Sequence, residues 1–223
     1  MLRRTFLTAA VTAAVAAMLA GTALATPTAP KSGAEYTTLK NPQPVQAEGK
    51  KVEVIEFFMY HCPACYALEP AMLDWVKKQG DNISFRRIHL PLTGEKDPEA
   101  HLFLTLEAMK LETQLHAKVL QTWHVERKRL QSDDANIEWA VKNGIDKDKF
   151  LAVYNSFAVN TRLKNAGRVA AAYEVTSTPT VIVDGRYLTN PSMVDAANPN
   201  LPRQQLTAAT LQVLDALVAQ SRK

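Results

Sequence analysis

Cysteine is scarce in this sequence, because the 223 residues contain only two, Cys62 and Cys65. Two cysteines allow at most one intrachain disulfide, which excludes a fold held together by a network of such bridges. Long apolar runs are also scarce, since none follows the first 25 residues, and neither internal repeats nor low-complexity tracts occur beyond that leader. The remaining composition, 47% hydrophobic and 22% charged, is that of a soluble globular protein.

The first 25 residues have the three parts of a secretory signal peptide: a basic start, an apolar run from Phe6 to Ala20 and a small-residue exit. The apolar run is shorter than a membrane span usually is, so we predict cleavage after Ala25. The pair Arg3-Arg4 also resembles a twin-arginine export signal. Short motifs match by chance, so an ordinary signal peptide is favoured. Either route exports the chain across the same membrane.

Charge points to no particular partner, although the net charge is +4. The densest basic cluster, residues 127–129, has no interleaved aromatic residues and no second basic stripe. We therefore predict a solvated helix face there and no nucleic-acid partner.

The two cysteines lie where a strand gives way to a helix. Residues 51–60 are β-branched and aromatic, which is typical of a buried central strand, and apolar residues recur at helical spacing from Tyr66 to Val76. Pro63 falls in the first helical turn, a position that proline tolerates well.

The rest of the chain predicts an α/β protein whose strands lie at both ends, with helices only between them. In the first half we expect an edge strand near 36–39, a strand at 83–92 and helices from 98 to 172, one of them capped by Asp134. In the second half we expect a hairpin at 180–188 that turns at Asp184-Gly185, a proline-rich loop at 191–202 and a helix at 203–220.

Three interpretations of the Cys62-x-x-Cys65 pair compete: a structural bridge, a metal site and a redox centre. A bridge that closes four residues stabilises a fold by only about 2 kcal/mol on the loop-entropy model. A metal site lacks partner ligands, because His61 is the only further candidate and directly neighbours Cys62. The redox interpretation is favoured, with Cys62 and Cys65 forming a redox-active disulfide.

The start of a helix favours a thiolate because its first N–H groups are unpaired and its dipole is positive there. We therefore expect a lowered pKa at Cys62, while Cys65, with its own N–H engaged by the helix, stays protonated longer. Cys62 then forms the mixed disulfide with substrate and Cys65 resolves it.

The segment Glu56-Phe57-Phe58-x-x-x-Cys62-Pro63-x-Cys65-Tyr66, the later Thr178-Pro179 and the helices between them resemble the DsbA family of periplasmic dithiol oxidases. The resemblance implies a thioredoxin-like fold interrupted by an inserted all-helical domain. The thioredoxin-like domain would comprise residues 26–95 and 174–223, and the insertion residues 96–173.

The resemblance also implies what the chain does. It would donate the Cys62–Cys65 disulfide to newly exported or unfolded proteins in the periplasm, and a DsbB-like, quinone-linked membrane oxidase would reoxidise it. Thr178 and a cis Pro179 would bind substrate, and buried Glu56 would accept a proton near Cys65. We expect a monomer without a cofactor.

One departure from the family pattern concerns the residue between Pro63 and Cys65. The family typically has histidine there and this chain has Ala64, so we predict a less acidic Cys62 and a less oxidising couple. His61 is a candidate for compensation, although a solvated role is favoured for it, as for Glu69. The alternatives are a disulfide reductase or isomerase and a periplasmic metal-binding module that uses His61 with the two cysteines.

Overall fold

The computed structural model describes residues 26–222, so the predicted signal peptide lies outside the described residues. Five strands form one sheet: β1 Tyr36–Thr38, β2 Val52–Phe58, β3 Ile83–His89, β4 Thr180–Val183 and β5 Tyr187–Thr189. The helices are α1 Pro63–Gln79, α2 Pro98–Ala108, α3 Glu112–His124, α4 Asp133–Lys142, α5 Lys147–Tyr154, α6 Phe157–Ala172, α7 Pro191–Ala197 and α8 Leu206–Ser221. Within residues 26–222, none of these helices is both long and apolar enough to span a membrane.

The sheet order is β1-β5-β4-β2-β3, with β2 parallel to β3 and antiparallel to β4. All seven side chains of β2 are buried, because helices cover both faces of the sheet. Val54 packs with α1 and α8, whereas Ile55 and Phe57 pack with the end of α6 on the opposite face. By this alternation Glu56 shares the face that α1 covers.

Helices α2 to α6 stand between β3 and β4, where the sequence predicted only helices. Their core continues without a break into the carboxyl end of β2 and the start of α1, since Phe58 and Tyr60 belong to the same cluster as both cysteines. The helical block therefore forms one wall of the cysteine site. The assignment of domain boundaries at 95/96 and 173/174 stays a prediction.

The hairpin between β4 and β5 turns where the sequence predicted. Asp184 and Gly185 both have positive φ, 54° and 64°, and the N–H of Arg186 donates to Val183 O at 3.1 Å, which is type I′ geometry. A Cβ on Gly185 would lie 2.2 Å from Gln43 O, so only glycine fits beneath the leading arm.

Two local predictions were wrong, and capping explains both. The expected proline-rich loop contains α7, because Asn190 Oδ1 accepts the N–H of Met193 at 2.9 Å and Pro191 occupies the first helical position. The cap of α4 is Ser132, whose Oγ accepts the N–H of Ala135 at 3.2 Å, and Asp134 lies inside the first turn.

Candidate active site

Cys62 is the N-cap residue of α1. Its backbone is extended, Pro63 follows at the first helical position, and its Sγ accepts the N–H of Cys65 at 3.3 Å. The sequence-based expectation that the helix engages the Cys65 N–H was wrong, because this N–H belongs to the first turn and has no carbonyl partner. Both residues are buried free thiols, with Cys62 8% and Cys65 2% exposed.

The two sulfurs have opposite acidities. A hydrogen bond from the Cys65 thiol lowers the pKa of Cys62 to about 5 against the opposing effect of burial, and the backbone N–H groups of Cys65 and Ala64 contribute as well. The same hydrogen bond, together with burial, raises the pKa of Cys65. The outer sulfur is therefore an anion at neutral pH and the inner one a neutral thiol.

The loop before β4 meets the cysteines from the other end of the chain. The Thr178–Pro179 peptide bond is cis, as the resemblance implied, and Thr178 O lies 3.5 Å from Cys62 Sγ. A carbonyl oxygen stabilises the protonated thiol and not the thiolate, so this contact indicates proximity and is not a source of Cys62 acidity. The Thr178 hydroxyl, which is buried and has no other hydrogen-bond partner among the described residues, also helps to lower the pKa of Cys62.

A buried charge cluster lies behind the cysteines around Arg87 of β3. Its guanidinium donates to Glu56 Oε2 at 3.0 Å, to Glu69 Oε1 at 3.0 Å and to Glu112 Oε1 at 3.2 Å. Burial raises the pKa of Glu56 to about 7 against the attraction of Arg87, with the Glu69 charge adding to the rise. Glu56 therefore gains and loses a proton near neutral pH, as an acid–base group requires.

Glu69 is not solvated, contrary to the sequence-based expectation, because α1 turns it inward and leaves it 6% exposed. Burial alone would raise the pKa of Glu69, but hydrogen bonds and charges from His116 and Arg87 bring it below its usual value. Arg87 was not singled out from the sequence. Its signal there is an arginine within a predicted strand, and in the structure Arg87 pairs in register with Glu56 on β2.

His61 is not free in solvent either, which corrects a second expectation. Its ring Nδ1 lies 2.9 Å from both carboxylate oxygens of Glu99, and its backbone N–H donates to Glu99 Oε2 at 3.0 Å. The hydrogen bond with Glu99 raises the pKa of His61, although burial opposes it. Glu99 lies on α2, 38 residues from His61, and no local sequence pattern joins the two.

Histidine and carboxylate side chains surround the cysteines, but they do not converge on one point. Within residues 26–222, no three or more His, Cys, Asp or Glu side chains are grouped as a metal site requires. His124 contacts protein on both sides, with Nε2 2.8 Å from Tyr60 O and its ring stacked on Tyr66.

In this structure a strand leads into a Cys-x-x-Cys pair at the N-terminus of a helix, and a cis-proline loop on the same mixed sheet faces the pair. These features define a thioredoxin-like thiol–disulfide oxidoreductase. In agreement, the family model described as Thioredoxin matches residues 47–199.

Comparison with known proteins narrows the class. The thiol:disulfide interchange protein DsbA of Burkholderia cepacia is 37% identical over 203 residues, which cover 91% of each chain. That of Bordetella pertussis is 37% identical over 209 residues, covering 93% of this chain and 95% of the relative. The crystal structure of Pseudomonas aeruginosa DsbA superposes with a TM-score of 0.74 at 34% identity, covering 86% of this chain and 94% of that one. The chain belongs to the DsbA family of thiol:disulfide oxidoreductases.

Proposed function

We propose that this protein is a periplasmic oxidase that donates the Cys62–Cys65 disulfide to exported proteins. The observation that supports the proposal most is the difference in acidity between the two thiols: the pKa of Cys62 is lowered to about 5 and that of Cys65 is raised. A stable Cys62 thiolate favours the reduced form of the pair, which makes its disulfide a strong oxidant. The family membership and the predicted signal peptide over residues 1–25 support export.

In the proposed cycle, a substrate thiolate attacks Cys62, and Cys65 leaves and takes up a proton. A second substrate thiol then releases the oxidised product and the dithiol form of the protein. Thr178 and Pro179 border Cys62, and the Thr178 backbone would pair with an extended substrate segment. A DsbB-like, quinone-linked membrane oxidase would restore the disulfide.

The redox potential tests the proposal and the role of Ala64 together. Ala64 supplies only a backbone N–H to Cys62, so Ala64→His should add a stabilising positive charge and shift the equilibrium with glutathione toward the dithiol form, by roughly tenfold for about 1.4 kcal/mol. Ala71→His, which places a histidine two turns farther along α1, serves as the control and should leave the equilibrium unchanged. A wild-type couple as reducing as thioredoxin's, unmoved by Ala64→His, would exclude the oxidase in favour of a reductase.

Glu56 is proposed as the proton acceptor for Cys65. This role requires a raised pKa, which the variant Glu56→Gln tests. In the folded state the pKa of Glu56 is about 7, above its unfolded value, so its contribution to stability is full at low pH and is lost as pH rises toward 7. Removing the charge should therefore stabilise the protein at pH 8 by up to about 3 kcal/mol and change little at pH 4. Urea unfolding at both pH values measures this difference, and equal effects at the two would contradict it.

The kinetic part of the Glu56 proposal has its own measurement. Glu56→Gln should slow the resolution of a mixed disulfide by Cys65, because the Cys65 proton loses its acceptor. The first attack by the Cys62 thiolate should keep its rate. A slowed attack with normal resolution would assign Glu56 to the outer sulfur instead.

A further inference from the structure

Glu99 holds His61 rigidly beside the nucleophile. It is the second residue of α2, 4% exposed, and its two oxygens meet both the backbone N–H and the ring Nδ1 of His61. The start of α2 is itself fixed, because Asp97 caps it through Ala100 N–H at 2.8 Å and accepts the N–H of Leu92 at 2.8 Å. Glu99 therefore has little freedom to release the imidazole.

This contact decides which ring nitrogen carries the proton. A carboxylate can only accept hydrogen bonds, so the neutral ring of His61 keeps its proton on Nδ1 and its lone pair on Nε2. Nε2 makes no hydrogen bond to any described residue and is not sealed from solvent, since the side chain is 26% exposed. A histidine whose inner nitrogen is bonded to a buried carboxylate, and whose outer nitrogen is open, has the arrangement of a general base.

The oxidation of a dithiol at neutral pH is accelerated by such a base. The attacking species is a thiolate, but a free thiol with a pKa of about 8.5 is only a few per cent ionised at pH 7. We propose that His61 takes the proton from the substrate thiol that attacks Cys62, and that Glu99 is the positioning residue that holds its ring. The inference rests on the proposed oxidase function, since it concerns the first step of substrate oxidation.

The substrate S–H proton passes to His61 Nε2, and the sulfur electron pair forms a bond to Cys62 Sγ. The Cys62–Cys65 bond breaks, and Cys65 leaves with its electrons and is protonated from Glu56. The products are the Cys62–substrate mixed disulfide, a Cys65 thiol, a Glu56 carboxylate and a His61 imidazolium. The imidazolium then returns its proton to water and Glu56 takes one up, so no net proton is lost from the site.

The groups that face His61 set its working pH range. Glu99 and Asp97 at the start of α2 favour the protonated ring, as does the Cys62 thiolate when present, whereas burial favours the neutral ring. His89 of β3 shares Glu99 at 3.7 Å, and the uncharged Trp123 ring of α3 lies 6.0 Å away. Below the pKa of His61 the base is already protonated, so the oxidation rate should rise as pH rises through that value.

The experiment measures the rate at which the oxidised protein oxidises a synthetic two-cysteine peptide between pH 5 and pH 9.5. His61→Gln should lower the rate at pH 7 by at least fivefold, and by no more than about 30-fold, because the few per cent of substrate already ionised needs no base. The deficit should vanish near pH 9.5. Glu99→Gln should move the rising limb to lower pH, because the neutral amide no longer favours the imidazolium.

Controls separate this role from structure and from redox tuning. Glu95→Gln removes an exposed carboxylate just before α2 and should leave the profile unchanged. His61→Gln should change the glutathione equilibrium less than twofold. A rate deficit that is equal at every pH, or a shifted equilibrium, would overturn the inference and leave the oxidase proposal standing. A wild-type protein that does not oxidise the peptide would instead overturn the proposed function.

Discussion

Replacing Cys65 by serine is expected to trap substrate on Cys62 as a stable mixed disulfide. The Cys65 thiol is the group that resolves this adduct, and a serine hydroxyl cannot attack a disulfide sulfur. Net oxidation of a dithiol substrate should fall by roughly a thousandfold or more. The variant should keep an acidic Cys62, because the serine hydroxyl takes over the hydrogen bond that the Cys65 thiol donates to the Cys62 thiolate.

The trapped mixed disulfide is detected by incubating the reduced variant with a disulfide-containing peptide and measuring the mass of the adduct by mass spectrometry. Cys62→Ser is the matched control, since it keeps one thiol but only the buried one, 2% exposed. It should form no adduct under the same conditions. Adduct formation by Cys62→Ser, with none by Cys65→Ser, would reverse the roles assigned to the two sulfurs.

Of all substitutions that remove one charge from the site, Arg87→Met should lower the free energy of unfolding the most. Arg87 is 9% exposed and faces three carboxylates, and breaking a buried ion pair from one side costs about 3–5 kcal/mol. Methionine keeps much of the apolar stem, so most of the loss is electrostatic. The surface pair of Arg162 with Glu107 provides the control, because Arg162→Met should cost no more than about 1 kcal/mol.

The loss from Arg87→Met should depend on pH in a stated direction. Without the guanidinium, both Glu56 and Glu69 lose an attractive charge, so the folded-state pKa of each rises, and that of Glu56 moves further above its unfolded value. Stability is then full below the unfolded pKa and is lost as pH rises through the folded pKa. Urea unfolding should therefore show a smaller deficit at pH 5 than at pH 8. An equal deficit at both would show that Arg87 acts through packing and not through charge.

Features encoded in consecutive residues could be predicted from the sequence. The buried strand, the N-terminal position of Cys62 and the Asp184-Gly185 turn each depend on a short pattern of propensity or turn chemistry. The cis bond before Pro179 and the position of Thr178 beside Cys62 came from the family resemblance, because no local signal joins residues 116 positions apart. The fold class came from the strand and helix order together with that resemblance.

Contacts made across elements could not be predicted in the same way. Arg87 meets Glu56 through the parallel register of β2 and β3, and Glu99 meets His61 because α2 starts beside the end of β2. Both expectations of solvation, for Glu69 and His61, failed for this reason. A buried carboxylate finds its cation or imidazole only once the chain has folded.

The acidity of Cys62 is the central claim, and alkylation against pH measures it most directly. The rate at which iodoacetamide modifies the reduced protein reports the thiolate fraction, and only the outer thiol should react at low pH. The account predicts a titration with a pKa of about 5. A titration near 8.5, the value of a free cysteine, would contradict it.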